Sequence, residues 1–203
     1  MKDIISSTEC EHLISSIELM AHHLESVAES IDKEDIRQML TQIMEADSIF
    51  VMGAGRSGLV GKAFAMRLMH LGLRSYVVGE STTPAVRKGD AVIAISGSGE
   101  TRSISDLGRI TKDIGATLIT VTSNKESTLG NLSNIAMEIK GRTKDDTGGY
   151  LERHMRGEYS HLTPLGTSFE ISSLVFLDAM VAELISITGA SEDDLKSRHA
   201  KLE

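Results

Sequence analysis

The 203-residue chain has one cysteine, two prolines, no tryptophan and only 3% aromatic residues. A lone Cys10 excludes an internal disulfide framework and any zinc site built on cysteines. Pro84 and Pro164 are too few for a proline-rich linker. So little aromatic surface leaves nothing on which nucleobases would stack. A formal net charge of −8 opposes the basic face that a phosphate backbone demands. Nucleic acid is therefore not an expected partner. A small anion is still compatible, because backbone N–H groups create local positive potential in an acidic protein. No apolar run approaches the roughly 20 residues of a membrane span. The best stretch, Leu174 to Ile185, is broken by Asp178 and Glu183. Met1 to Cys10 lacks the apolar region of a signal peptide. The expected compartment is the reducing cytoplasm, with no membrane partner.

What is present reads as a globular α/β chain. Hydrophobic residues make up 40% and charged residues 25%, and a chain of this length buries roughly 70% of its unfolded surface. One domain over 1–203 is expected: helices to 46, a strand–helix core over 47–140, then a connecting segment, a long helix and a tail. Thr8 and Glu11 form a capping box ahead of a helix. Leu13, Ile17, Met20, Leu24, Val27 and Ile31 recur at spacings of four and three, an apolar seam that could pack on a partner subunit or on its own sheet. Asp32 opens a second helix. Strands follow at 48–52, 75–78, 91–95, 117–121 and 135–139, with helices expected over 57–71, 101–114 and about 168–187. Continuous apolar strands alternating with helices imply a parallel sheet covered on both faces. Residues 141–165 hold four glycines and many charges, with a short helix expected around Leu151–Arg156. Ser191 begins a final short helix.

Two glycine loops carry the chemistry. Gly53-Ala54-Gly55-Arg56-Ser57-Gly58 follows a strand, opens a helix and matches a dinucleotide fingerprint, with Glu80 as its acidic residue. Too little chain remains after Glu80 for the rest of a dinucleotide fold and a substrate domain. The second loop, Ser96-Gly97-Ser98-Gly99-Glu100-Thr101, also leaves a strand and opens a helix. Its small residues allow close approach. The hydroxyls of Ser96, Ser98 and Thr101 can donate to phosphate oxygens, and the helix N-terminus adds unpaired N–H groups. The alternative is that Ser98 or Thr101 simply caps the helix.

G-x-G-R-S before a helix, S-G-S-G-x-T before the next, and Thr122-Ser123-Asn124 after the following strand together resemble the sugar isomerase (SIS) domain. The resemblance implies a five-stranded parallel sheet in a flavodoxin-like three-layer sandwich that binds phosphosugars. It places phosphate at Ser96, Gly97, Ser98, Gly99 and Thr101, and the sugar near Gly55, Arg56 and Ser57. Pro164-Leu165-Gly166-Thr167-Ser168-Phe169-Glu170, Leu177-Asp178 and the tail Arg198-His199-Ala200-Lys201-Leu202-Glu203 resemble the 6-phospho-3-hexuloisomerase branch. That branch moves a carbonyl between C3 and C2 of a hexulose 6-phosphate with neither metal nor cofactor. Its relatives are typically dimers or tetramers. Phosphoheptose isomerases and non-catalytic phosphosugar sensors are the alternatives on the same fold.

Carbonyl transfer between adjacent carbons needs one base, plus groups that balance an enediolate and relay the hydroxyl proton. Glu170 is the candidate base; Thr167-x-x-Glu170 is equally a capping box. His199 suits a proton relay near neutral pH, or is an exposed residue on a tail. As a relay it would reach a neighbouring subunit's cleft. Arg56 either stabilises the enediolate or pairs with an acidic neighbour. His12, His22, His23, His70, His154 and His161 form no metal-ligand motif, so no metal is expected.

Overall fold

A computed structural model describes residues 10–141 and 167–199. Thr8, the 142–166 connection with its expected short helix, Pro164-Leu165-Gly166 and the last four residues lie outside the described residues. The chain runs α1 (Glu11–Ser30), α2 (Lys33–Glu45), β1 (Ile49–Gly53), α3 (Arg56–His70), β2 (Ser75–Val77), β3 (Ala91–Ile95) and α4 (Arg102–Ile114). It continues through β4 (Thr117–Thr122), α5 (Thr128–Leu132), β5 (Ile135–Glu138), α6 (Thr167–Thr188) and α7 (Glu192–Ser197).

Five parallel strands form one sheet in the order β2-β1-β3-β4-β5. Side chains alternate across it, as strand geometry requires. Ile49, Val51, Ile93 and Ile95 join a core with α2, α3 and α6, while Phe50, Met52, Val92 and Ala94 face α4 and α5. The result is the three-layer α/β sandwich expected. Helix α5 was not foreseen. It is five residues long, too short to show a period, and its signal is Ser127, whose side chain accepts from the Gly130 N–H.

Helix α6 is 22 residues long and has the length and hydropathy to cross a membrane. Here Phe169, Phe176, Leu177, Met180 and Leu184 instead fill the core. Helix α1 begins at Glu11 with Cys10 as N-cap. Its seam divides: Val27 is buried, but Leu13 and Ile17 remain more than half exposed. Asp32 caps α2 by accepting from the Glu34 N–H, and Ser191 with Asp194 forms a capping box on α7.

Candidate active site

Strand order reverses between β1 and β3, so the loops leaving them open a crevice at the carboxyl edge of the sheet. Gly53 of β1 is in register with Ile95 of β3, and neighbouring strands lie about 4.8 Å apart. The two glycine loops therefore emerge side by side.

The β3–α4 loop is built around buried Ser96, whose Oγ lies 3.5 Å from Thr101 Oγ1. Thr101 occupies the N-cap position of α4, yet its side chain makes no capping bond. Ser98 Oγ accepts from the Glu100 N–H at 3.3 Å, within the loop. Neither hydroxyl takes up the Arg102 or Ser103 N–H that opens α4, while the Ile104 N–H donates to the Thr101 carbonyl at 2.9 Å. Simple capping does not describe this loop. Gly99 has φ +67°, and a Cβ there would lie 1.9 Å from Ser127 Oγ, so only glycine fits. Glu100 points away from the loop. Its carboxylate accepts from Thr128 Oγ1 and from the Thr128 N–H, both at 2.7 Å. Those bonds, the hydroxyl's first, hold its pKa below the ordinary glutamate value.

The β1–α3 loop turns at Gly55, with φ +57°, and presents Arg56 and Ser57 in the first turn of α3. Arg56 Nε donates to Glu170 Oε2 at 2.5 Å. The carboxylate side is 10% exposed and the arginine side 60%. The two alternatives for these residues thus meet: the acidic neighbour of Arg56 is Glu170. That carboxylate is engaged by Arg56, and the residue ahead of α6 lies outside the described residues. Both line a cavity of about 240 Å³ with Leu59, Val60, Ala63, Ile171 and Leu174. A buried carboxylate beside a guanidinium open to solvent can take a proton from carbon and balance a developing oxyanion. Glu80, the acidic residue of the dinucleotide fingerprint, instead pairs with Lys62 at 2.5 Å.

His199 lies elsewhere in this protomer. Its ring stacks on His70 with centroids 3.8 Å apart, and Arg198 Nη1 donates to the His70 carbonyl at 3.0 Å. His70 ends α3 and Arg56 begins it, a separation of about 21 Å along the helix axis. The protomer brings Arg56 and Glu170 into contact, with Ser57 next along α3 on the loop that leaves the strand neighbouring β3, and it keeps His199 at the far end of α3. Among the described residues, no cluster of three His, Cys, Asp or Glu could hold a metal ion.

The residues that brace the loop were not assigned a role from sequence. The Gly97 carbonyl accepts from Ser123 Oγ at 2.7 Å, Ser123 N–H at 2.9 Å and Thr122 Oγ1 at 3.1 Å. The T-S-N run was the visible trace of this contact. Its acceptor is a main-chain oxygen, which sequence does not mark.

Paired glycine-rich loops at the switch point of a five-stranded parallel sheet define an α/β domain suited to a phosphorylated ligand. The SIS domain model matches residues 42–150. A Methanothermobacter thermautotrophicus protein described as uncharacterized is 46% identical over 96% of this chain and 99% of its own. A Bacillus subtilis 3-hexulose-6-phosphate isomerase is 36% identical over 90% of this chain and 94% of its own. A Methanococcus jannaschii crystal structure, from which a molecular function of 3-hexulose-6-phosphate isomerase was inferred, is 30% identical. It aligns with TM-score 0.79 over 93% of this chain and 99% of that one. The chain belongs to the SIS domain family and, within it, to the isomerase branch that these relatives represent.

Proposed function

We propose that the protein interconverts D-arabino-hex-3-ulose 6-phosphate and D-fructose 6-phosphate through a C2–C3 cis-enediol. The observation that carries this is the Arg56–Glu170 pair, a buried carboxylate held against an exposed guanidinium, at the start of a helix whose loop leaves the strand next to that of the Ser96–Thr101 loop. The names of the curated relatives supply the substrate.

In this mechanism the phosphate sits in the β3–α4 loop. It accepts from Ser96, Ser98, Thr101 and the first-turn amides of α4, with Gly97 and Gly99 giving access. That remote anchor orients the reacting carbons. Gly55 and Ser57 border the sugar. Glu170 removes the proton from C2 of the 3-ketose and returns it to C3, giving the 2-ketose. A cis-enediol lets one base on one face serve both transfers. Arg56 balances the enediolate, and His199 of a neighbouring copy relays the hydroxyl proton. Residues 1–203 act as one domain in the cytoplasm, without metal or cofactor. A dimer or tetramer would cover Leu13 and Ile17 of α1 and Leu59 of α3, all exposed in the protomer.

Two experiments test the proposal. Incubation of fructose 6-phosphate with the enzyme in excess EDTA should yield the 3-ketose by chromatography; a protein that binds the sugar phosphate and forms no product would refute it. Mixing inactive Glu170→Gln and His199→Ala variants under subunit-exchange conditions should restore activity, because mixed oligomers contain intact sites. No recovery despite verified exchange would remove the shared histidine.

A further inference from the structure

The Gly97 carbonyl carries three donors from the last residue of β4 and the residue after it: Thr122 Oγ1, Ser123 Oγ and the Ser123 N–H. Two lone pairs are thereby saturated. The next carbonyl but one is held in the same manner. Gly99 O accepts from the Leu129 N–H at 3.1 Å and from Ser105 Oγ at 3.4 Å. Both glycine carbonyls of the S-G-S-G run are thus drawn down onto neighbouring elements.

The clamp bears directly on anion binding. In a trans peptide unit, the carbonyl of one residue and the N–H of the next point in opposite directions. Fixing Gly97 O against Thr122 and Ser123 therefore turns the Ser98 N–H to the other side of the loop, away from β4. Without the clamp the Gly97–Ser98 unit could rotate about ψ of Gly97 and φ of Ser98, and the missing Cβ of Gly97 leaves its side of the unit with little steric resistance. A rotated unit would replace an N–H donor with a carbonyl oxygen, which repels an anion.

We propose that Thr122 and Ser123 are positioning residues. They lock the Gly97–Ser98 peptide in the donor-out orientation and so set the affinity of the loop for the phosphate group. This rests on the assignment of the Ser96–Thr101 loop to the phosphate. Neither residue touches the ligand in this role; they act through a main-chain carbonyl. The proposal also gives the T-S-N run a physical purpose.

The test compares Ser123→Ala, Ser123→Thr and Ser98→Ala in the isomerase assay, with inorganic phosphate as competitive inhibitor. Ser123→Ala removes one of three donors and should raise both the KM for fructose 6-phosphate and the Ki for phosphate by the same factor. That factor is about three- to tenfold, the worth of one hydrogen bond. The turnover number should stay within about twofold. Ser123→Thr keeps the hydroxyl and should restore both constants. A merely structural serine would lower the melting temperature and the active fraction without moving KM or Ki, and that result overturns the proposal. If Ser98→Ala still raises KM in that case, the phosphate assignment survives. If Ser98→Ala leaves KM and Ki unchanged as well, the assignment falls and the clamp falls with it.

Discussion

Replacing Glu170 with Gln separates catalysis from stability, and the structure gives a magnitude for each. The Arg56–Glu170 contact is a 2.5 Å charge-assisted bond, a type worth about 1.5–3 kcal/mol when well shielded. Here the arginine side chain is 60% exposed, so solvent screening reduces the pair to about 1 kcal/mol. Gln is nearly isosteric and keeps an oxygen to accept from Arg56 Nε, so only part of that is lost. At about 2–4 °C per kcal/mol for a chain of this size, the melting temperature should fall by no more than about 4 °C. The amide cannot take a proton from carbon. Losing a general base costs about 10²- to 10⁴-fold in rate, or about 2.7–5.4 kcal/mol of barrier. The two effects do not overlap. A loss of about 1 kcal/mol leaves a protein of ordinary stability folded at 25 °C. The assay is fructose 6-phosphate turnover beside calorimetric melting of the same sample. Activity within tenfold of wild type would refute the reasoning and reduce Glu170 to an anchor for Arg56.

Three further outcomes follow from the geometry. Gly99→Ala should destabilise the protein by at least about 2 kcal/mol, because its φ of +67° is strained for alanine and the new Cβ meets buried Ser127 Oγ; a denaturation midpoint equal to wild type would contradict the loop geometry. Thr128→Val removes the hydroxyl partner of Glu100, the largest of the causes that lower its pKa, and leaves the Thr128 N–H in place. A depressed folded-state pKa stabilises fully above the unfolded value of about 4.3 and loses that contribution as pH falls below it. Wild type should therefore melt higher than Thr128→Val at pH 7, with the gap closing below about pH 4; a gap constant with pH would show that the contact is not ionic. The double change Leu13→Asp, Ile17→Asp should lower the molar mass seen by analytical ultracentrifugation, because both side chains are exposed on the α1 seam of the protomer. An unchanged mass would place the subunit contact elsewhere.

Much of the architecture was legible because the strands are apolar throughout. Ala91–Ile95 is buried at every position, and a short apolar run between polar loops is what a strand covered on both faces requires. The start of α2 at Asp32 and of α7 at Ser191 could be read from local capping chemistry. Helix α5 could not, since its stability comes from Leu129 buried against the sheet and from the Ser127 cap, not from periodicity. The site was legible in its parts and not in its connections. Arg56 and Glu170 are 114 positions apart, and the local sequence around either one says nothing of the other. The position of His199 on His70 was invisible for a similar reason. It depends on how α7 docks against the far end of α3, where Arg198 reaches the last carbonyl of the helix. The Gly97 clamp uses main-chain oxygen, about which residue identity says little.

The central claim is that proton transfer occurs between C2 and C3 and is performed by this site. Fructose 6-phosphate incubated with the enzyme in D2O and followed by proton NMR tests it directly. The account predicts loss of the C3 proton signal at a rate that Glu170→Gln reduces by at least about a hundredfold. Deuterium entering at C1 with C3 untouched would contradict it, because the enediol would then span C1 and C2 and the enzyme would be an aldose–ketose isomerase.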